Sequence, residues 1–153
     1  MSVSHLPPGY HTVVPQLSID GAAAAIDFFK RAFGAEQLDF ATDPSGKKVW
    51  HAALRIGESM VFVNDVFPEM GGEASRSAMW LYVPDTDASF KRAVDAGAKP
   101  TMPPNDAFWG DRFSQVADPY GNKWTIATRI KNMTPDEIRA AEQAFIASMK
   151  SQK

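Results

Sequence analysis

Two residues are the leading candidates for side chains that carry out chemistry. His51 lies within a predicted strand at 49–56, and histidine is the side chain best suited to exchange protons near neutral pH. Arg112 ends the tetrapeptide Trp109-Gly-Asp-Arg, and a guanidinium can hold a carboxylate or phosphate through two parallel hydrogen bonds. Both also have a structural interpretation. A carboxylate or backbone group across the sheet could satisfy His51, and Asp111 could pair with Arg112 to hold the loop.

Composition excludes several other kinds of chemistry. The 153 residues include no cysteine, so a disulfide framework, an iron–sulfur cluster and a thiolate zinc site are impossible. Sixteen Lys+Arg against 18 Asp+Glu give a net charge of −2, which offers no electrostatic reason to expect nucleic acid as a partner. No apolar run approaches the roughly 20 residues that span a bilayer, and the first residues lack the pattern of a signal peptide. We therefore expect a cytoplasmic protein without membrane or nucleic-acid partners.

The elements that must position these residues occur twice along the chain. Apolar periodicity and turn signals predict strands at 12–19, 38–41, 49–56 and 60–64 with a helix at 22–33. The second set has strands at 78–83, 99–102, 112–117 and 123–128, with a helix ending near 96 and a long loop at 103–111. Leu17 and Leu81, like Gly57 and Gly121, are 64 residues apart. This repetition predicts one domain over 1–153, made of two duplicated modules at about 11–66 and 77–130.

Local signals define the helix ends. Asp20 is expected to cap the first helix and Asp85 or Asp87 the second, because a carboxylate accepts hydrogen bonds from free helical amides. Gly34 is placed for a left-handed stop after the first helix. Alternation puts Trp50 and Trp124 on the helix side of their strands, so both are expected in the core.

A third helix is predicted at about 134–150. Thr134, Pro135 and Glu137 form the pattern of a capping box with proline at the first helical position. Apolar residues then fall on one face of the helix, namely Ile138, Ala141, Phe145 and Met149. We expect this face to pack on its own domain or on a second subunit.

Three segments resemble a known family. The stretch 13–34 is similar to the opening strand and helix of the vicinal-oxygen-chelate superfamily, which includes glyoxalase I, bleomycin-resistance proteins and extradiol dioxygenases. The motifs at 108–113 (FWGDRF) and 118–124 (DPYGNKW), with the tail at 131–138, resemble its PhnB-like branch. The resemblance implies an α+β, glyoxalase-like fold of two βαβββ modules around a ligand-binding cup, plus the C-terminal amphipathic helix, often as a homodimer.

Alternation along the strands then predicts which side chains face the implied cup. These are Val14, Gln16, Ser18, His51, Arg55, Val61, Val63, Ala78, Trp80, Tyr82, Gln115 and Thr125. With the loop residues, our candidate ligand-binding set is Gln16, His51, Trp80, Tyr82, Trp109, Arg112 and Gln115. Rings and amides of this kind suit a flat or amphipathic organic molecule. Phe108 and Trp109 could instead form a dimer seam.

The resemblance also implies four places for metal ligands, which fall at Val14, Val61, Ala78 and Thr125. Valine and alanine have no donor atom, and a lone threonine hydroxyl is a poor ligand. A shift of two residues on the first strand would bring His11 towards the first place and would not restore the other three. We therefore predict no metal site and no cofactor.

These observations support a binding protein for a small organic molecule. One alternative is a metal-independent isomerase or lyase, in which His51 acts as acid or base and Arg112 holds an anionic substrate. Another is a metal-dependent enzyme of the glyoxalase or dioxygenase type, should the ligand register be misplaced. A third is a structural or dimeric interaction protein whose own side chains fill the cup.

Overall fold

The structure is a computed structural model that describes residues 2–152, and it contains two βαβββ modules followed by a helix. The first module comprises β1 (Gln16–Ile19), α1 (Ala22–Phe33), β2 (Glu36–Thr42), β3 (Val49–Ile56) and β4 (Ser59–Asp65). The second comprises β5 (Ala78–Tyr82), α2 (Thr86–Asp95), β6 (Lys99–Asp106), β7 (Asp111–Ala117) and β8 (Lys123–Arg129), and α3 (Pro135–Lys150) follows it. The predicted α+β, glyoxalase-like fold is confirmed. β1 begins four residues later than the sequence indicated.

Each module forms one four-stranded sheet with the same strand order. The orders are β1-β4-β3-β2 and β5-β8-β7-β6. The first strand of each sheet runs parallel to the last strand of its module, and the other pairs are antiparallel. In each sheet one face packs against the helices. The opposite face is called here the open face.

The covered faces of the two sheets share one core. Trp124 on β8 is buried and lies 4.3 Å from Phe33 and 5.5 Å from Phe29, measured between ring centroids. Since both phenylalanines belong to α1, aromatic packing joins the modules. The prediction that Trp124 lies in the core is confirmed. Trp50 is 47% exposed and packs on Phe67, so the same prediction for Trp50 is wrong.

The irregularity beside Trp50 has an identifiable cause. β2 pairs Ala41 with His51 but Thr42 with Val49, so the register shifts and Trp50 has no partner on β2. Such a bulge interrupts the alternation of side chains. Strict alternation therefore fails for Trp50.

The amides at the start of helix α1 donate to a carboxylate that is distant in sequence. Asp65 accepts hydrogen bonds from the amides of Gly21 and Ala22 at 3.1 Å, and from the amide of Val49 at 2.6 Å. The prediction that Asp20 caps α1 is wrong, because Gly21 occupies the cap position and no side chain caps the helix locally. Asp85 caps α2, as one of the two predicted options, by accepting from the amide of Ala88.

The duplicated arginines of α1 and α2 cap each other's helices. Arg31 donates to the carbonyl of Ala96 at 3.0 Å, and Arg92 donates to the carbonyls of Arg31 and Lys30. Cations at helix C-termini are favourable because the unpaired carbonyls there carry partial negative charge. Gly34 adopts the predicted left-handed conformation, and a Cβ at this position would lie 3.2 Å from the Arg92 guanidinium.

The segment predicted as a long loop is mostly strand. β6 continues through Pro103 and Pro104 to Asp106, which leaves only residues 107–110 between β6 and β7. Prolines are tolerated there because β6 is the edge strand of its sheet.

Helix α3 has the predicted capping box, in which Thr134 and Glu137 bond to each other's backbone amides. None of the described residues of α3 is buried. The ring of Phe145 contacts that of Phe108 at 5.2 Å. Among the described residues, no helix is long and apolar enough to cross a membrane.

Candidate functional site

The open face of the second sheet carries a group of aromatic rings. Trp80 lies 6.2 to 6.3 Å from Tyr82, Trp109 and Phe113, and Trp109 lies 5.1 Å from Phe113. Trp80 is 47% exposed and Tyr82 is 66% exposed. These four residues are called the aromatic face. Three belong to the predicted set, and Phe113 was missed although it alternates with Gln115 on β7.

A buried carboxylate holds two of these rings. Asp111 is only 3% exposed, and its Oδ2 accepts hydrogen bonds from the Tyr82 hydroxyl and the Trp109 indole nitrogen, both at 2.9 Å. The bond from the hydroxyl to Asp111 raises the pKa of Tyr82, because ionisation of the phenol would place a second negative charge beside the carboxylate. Asp111 thus joins β5 to the 107–110 loop.

Arg112 points to the other face of the sheet. Its guanidinium binds both carboxylate oxygens of Asp87 on α2, at 2.6 and 2.9 Å, and Asp106 at 2.9 Å. This contact lowers the pKa of Asp87 and raises that of Arg112. The structure therefore corrects two expectations: Arg112 does not share the face of the other candidates, and it does not pair with Asp111.

Gln115 and Thr125 extend the aromatic face along the sheet. They are cross-strand partners on β7 and β8, and the amide of Gln115 donates to the Thr125 hydroxyl at 3.3 Å. A cavity of about 570 Å³ lies at the edge of β5 beside the β3–β4 turn. It is lined by Trp80 and Tyr82 and also by residues of the covered side, among them Phe33, Leu81 and Ile126. This volume lies in the range of small-molecule sites.

The open face of the first sheet is polar by comparison. Gln16 donates from Nε2 to Oδ1 of Asn64 at 3.0 Å, and Asn64 donates from Nδ2 to the Ser18 hydroxyl at 3.1 Å. These three residues line a cavity of about 210 Å³. We call them the amide ladder. Gln16 and Ser18 lie on the predicted face.

His51 lies on the same open face. Its ring packs against that of Phe62 at 4.9 Å, and its Nε2 is 3.9 Å from Oδ2 of Asp39, which is beyond hydrogen-bond distance. The side chain is 38% exposed. His51 is therefore accessible, and the Asp39 carboxylate lies near its ring without a hydrogen bond to it.

Two residues of the first module lie on the opposite face from the one predicted. Val61 and Val63 are buried in the core beneath the helices. The offset between the modules is 64 residues at the first strand, where Leu17 matches Leu81. At the last strand it is 63, because Leu17 pairs with Val63 whereas Leu81 pairs with Ile126. A constant offset of 64 thus displaced the β4 register by one residue.

The metal ligands that the fold family implies do not fit these residues. With the corrected register, the residue that matches Thr125 is Phe62, since Gln16 pairs with Phe62 as Trp80 pairs with Thr125. A phenyl ring offers no donor, like Val14 and Ala78. Among the described residues, no three His, Asp or Glu side chains are grouped to hold a metal ion.

The motif at 118–124 is structural. Asp118 is buried, accepts from the amides of Tyr120 and Asn122, and also binds the side chains of Asn122 and Trp124. Asn122 in turn accepts from the amide and hydroxyl of Ser77. The motif therefore anchors the β7–β8 turn to the segment before β5.

Comparisons with known proteins agree with this architecture. A family model described as the Glyoxalase/Bleomycin resistance protein/Dioxygenase superfamily matches residues 10–126. An uncharacterised protein of Mycobacterium tuberculosis is 41% identical over 136 residues, which cover 83% of this chain and 79% of that protein. The anthracycline biosynthesis protein DnrV of Streptomyces peucetius is 29% identical over 111 residues, which are 72% of this chain and 38% of DnrV.

A solved structure is also similar. The crystal structure of TioX from Micromonospora sp. ML1 superposes with a TM-score of 0.62 at 28% identity. The match covers 81% of this chain and all of that one.

Proposed function

The chain belongs to the glyoxalase/bleomycin resistance protein/dioxygenase superfamily, and on that premise we propose that it binds a small, flat organic molecule on the open faces of its sheets, without a catalytic metal. The proposal places the chain among the binding members of the superfamily. Its PhnB-like character, inferred from the motifs at 108–113 and 118–124, and its location in the cytoplasm stay predictions of the sequence.

The aromatic face is the observation that carries the proposal. Monomeric proteins seldom leave large rings exposed side by side, and exposed apolar patches commonly mark binding sites. Trp80 and Tyr82 are about half exposed or more, while hydrogen bonds to Asp111 satisfy the polar atoms of Tyr82 and Trp109. The ring faces are thus free to stack on a planar ligand.

The amide ladder gives the open face of the first sheet donors and acceptors for the polar groups of a ligand. Gln16, Ser18 and Asn64 combine donors and acceptors on one sheet face, which suits the few convergent polar groups of a small-molecule site. The name of DnrV assigns that protein to anthracycline biosynthesis. A comparable role in handling an organic small molecule is a proposal for this chain.

The proposal includes no bound metal, because most of the residues at the places implied for metal ligands lack donor atoms. Phe62, Val14 and Ala78 cannot ligate, so no route through a bound cation can be built from these places. Tight, stoichiometric retention of Zn²⁺, Ni²⁺, Mn²⁺ or Fe²⁺ by the purified protein would contradict this part of the proposal.

A thermal-shift screen tests the function. Chelator-treated protein is heated with matched planar aromatic and aliphatic compounds, and planar compounds are expected to raise the melting temperature by mass action. Trp80→Ala should abolish most of that rise. Phe40→Ala, which removes another half-exposed ring on β2, should retain it. A screen in which no planar compound stabilises the wild type would refute the proposal.

His51 supports a second candidate function, a metal-independent isomerase or lyase. The favouring observation is its position on the open face with Asp39 at 3.9 Å. Arg112 has no part in this mechanism, because it binds Asp87 on the covered face. Loss of turnover in a folded His51→Ala variant would support the candidate, and unchanged turnover would end it.

A further inference from the structure

The buried carboxylate of Asp111 next to the aromatic face determines which sign of ligand charge this surface favours. Asp111 receives the polar hydrogens of two rings from different segments, Tyr82 on β5 and Trp109 in the 107–110 loop. Both bonds go to the same oxygen, and the side chain is almost fully buried. A ligand on this surface therefore meets the faces of two rings whose polar edges are bonded to a negative charge.

Such an arrangement changes the rings themselves. The face of an aromatic ring carries partial negative charge, and donation of the ring's hydrogen to a carboxylate polarises the ring further in the same sense. A cation over Trp109 or Tyr82 is thus attracted by the ring and by the carboxylate bonded at the ring's edge. An anion in that place would be repelled by both.

Two cationic side chains on the same sheet face would repel a cationic ligand and so oppose the attraction by Asp111. Arg129 is the cross-strand partner of Asp111, and Lys123 lies at the other end of β8. Both are exposed, so water and salt screen their charges, whereas the Asp111 carboxylate lies away from solvent. The charge of Asp111 is therefore screened less than the charges of Arg129 and Lys123.

We propose that the aromatic face takes a flat ring that carries a positive charge, and that Asp111 is the positioning residue that holds Tyr82 and Trp109 for it. The inference rests on the proposed function and narrows its ligand class. The loop agrees with this role: Gly110 has a left-handed φ of 97°, and a Cβ there would lie 2.9 Å from the carbonyl oxygen of Lys131. The loop that carries Trp109 is thus packed closely against the backbone of Lys131.

The experiment compares two fluorescent probes of nearly the same shape. N-methylacridinium is cationic, and acridine is neutral at mildly alkaline pH. Titrations of both into the wild type, followed by anisotropy, should show binding about 3- to 30-fold tighter for the cation. Asp111→Asn should lower the affinity ratio by about threefold or more, since the charge is lost while the shape and the rings are kept. Asp106→Asn is the matched control on the covered face and should keep the ratio.

Each outcome decides something. Equal affinities for the two probes in the wild type overturn the inference and leave the proposed function standing, whereas failure of both to bind at millimolar concentration contradicts the proposed function too. An unchanged ratio in folded Asp111→Asn refutes the role of Asp111. Should circular dichroism show that this variant is unfolded, Tyr82→Phe decides instead. It removes the hydroxyl that donates to Asp111 and keeps the carboxylate, so the affinity for both probes should fall, and an unchanged affinity there refutes the positioning role.

Discussion

Individual residues of this chain have roles that depend on partners far away in sequence. Asp65 is the clearest case, because it closes the start of α1 and also binds the first residue of β3. Asp20 has the residue type and position of a helix cap and does not act as one. A local motif identified the need for a cap, but only the folded chain shows which carboxylate meets it.

Asp65→Ala should therefore destabilise the protein by about 2 to 4 kcal/mol, since it leaves three buried or partly buried amides without an acceptor. Asp20→Ala is the matched control and should change the free energy of unfolding by no more than about 0.5 kcal/mol. Urea denaturation of the two variants measures the difference. Equal losses would show that Asp20 shares the capping role.

The ion pair of Arg112 predicts a pH dependence. Arg112 lowers the pKa of Asp87 in the folded state, so the folded protein binds fewer protons at this site than the unfolded chain. The resulting stability is present above the unfolded pKa of about 4 and is lost as the pH falls through the folded pKa. Wild type should exceed Asp87→Asn in stability at neutral pH, and the gap should close below about pH 4. A gap that stays constant with pH would contradict this origin.

The residues of the candidate site could be predicted only in part from the sequence. Alternation placed Trp80, Tyr82 and Gln115 on the open face, because β5 and β7 are regular there. It misplaced Val61 and Val63, since the two halves of the duplicated chain differ by one residue at the last strand. The contact of Arg112 with Asp87 joins a strand to a helix 25 residues away, and no local pattern marks such a partner.

At the scale of elements, the duplicated helices stabilise each other. Most element bounds followed from periodicity and turn residues, and β3 was predicted to the residue. The reciprocal bonds of Arg31 and Arg92 were not predictable, because they depend on the angle at which α1 and α2 meet. Local sequence contains no measure of that angle.

Arg92→Ala should reduce stability by about 0.5 to 1 kcal/mol, since it frees the last carbonyls of α1 and removes a cation from that helix end. Lys91→Ala is the neighbouring control, because Lys91 forms only an exposed pair with Asp95 within α2. Thermal denaturation compares the two. A loss in Lys91→Ala as large as that in Arg92→Ala would contradict the capping role.

At the scale of the whole molecule, α3 is a 16-residue helix none of whose described residues is buried. Phe145, Ile146 and Met149 are each 44% to 56% exposed, and the helix meets Phe108 through one ring contact. We propose that the chain forms a homodimer with this apolar stripe in its interface. A helix of this kind normally buries its stripe.

Sedimentation equilibrium at micromolar concentration should give the mass of two chains. Phe145→Glu should shift the mass towards one chain, because a charge in the interface is costly to desolvate. Ala147→Glu introduces the same charge on the opposite side of α3 and should leave the dimer intact. A wild type that sediments as a monomer would refute the proposal.

The central claim is that the aromatic face binds a planar ligand and that no metal takes part. Calorimetric titration of a planar compound into chelator-treated protein tests it most directly, with Trp80→Ala titrated alongside. We predict the same affinity with and without the chelator, and binding weaker by about tenfold in Trp80→Ala. Binding that appears only after a divalent metal is added, or full affinity in Trp80→Ala, would contradict the claim.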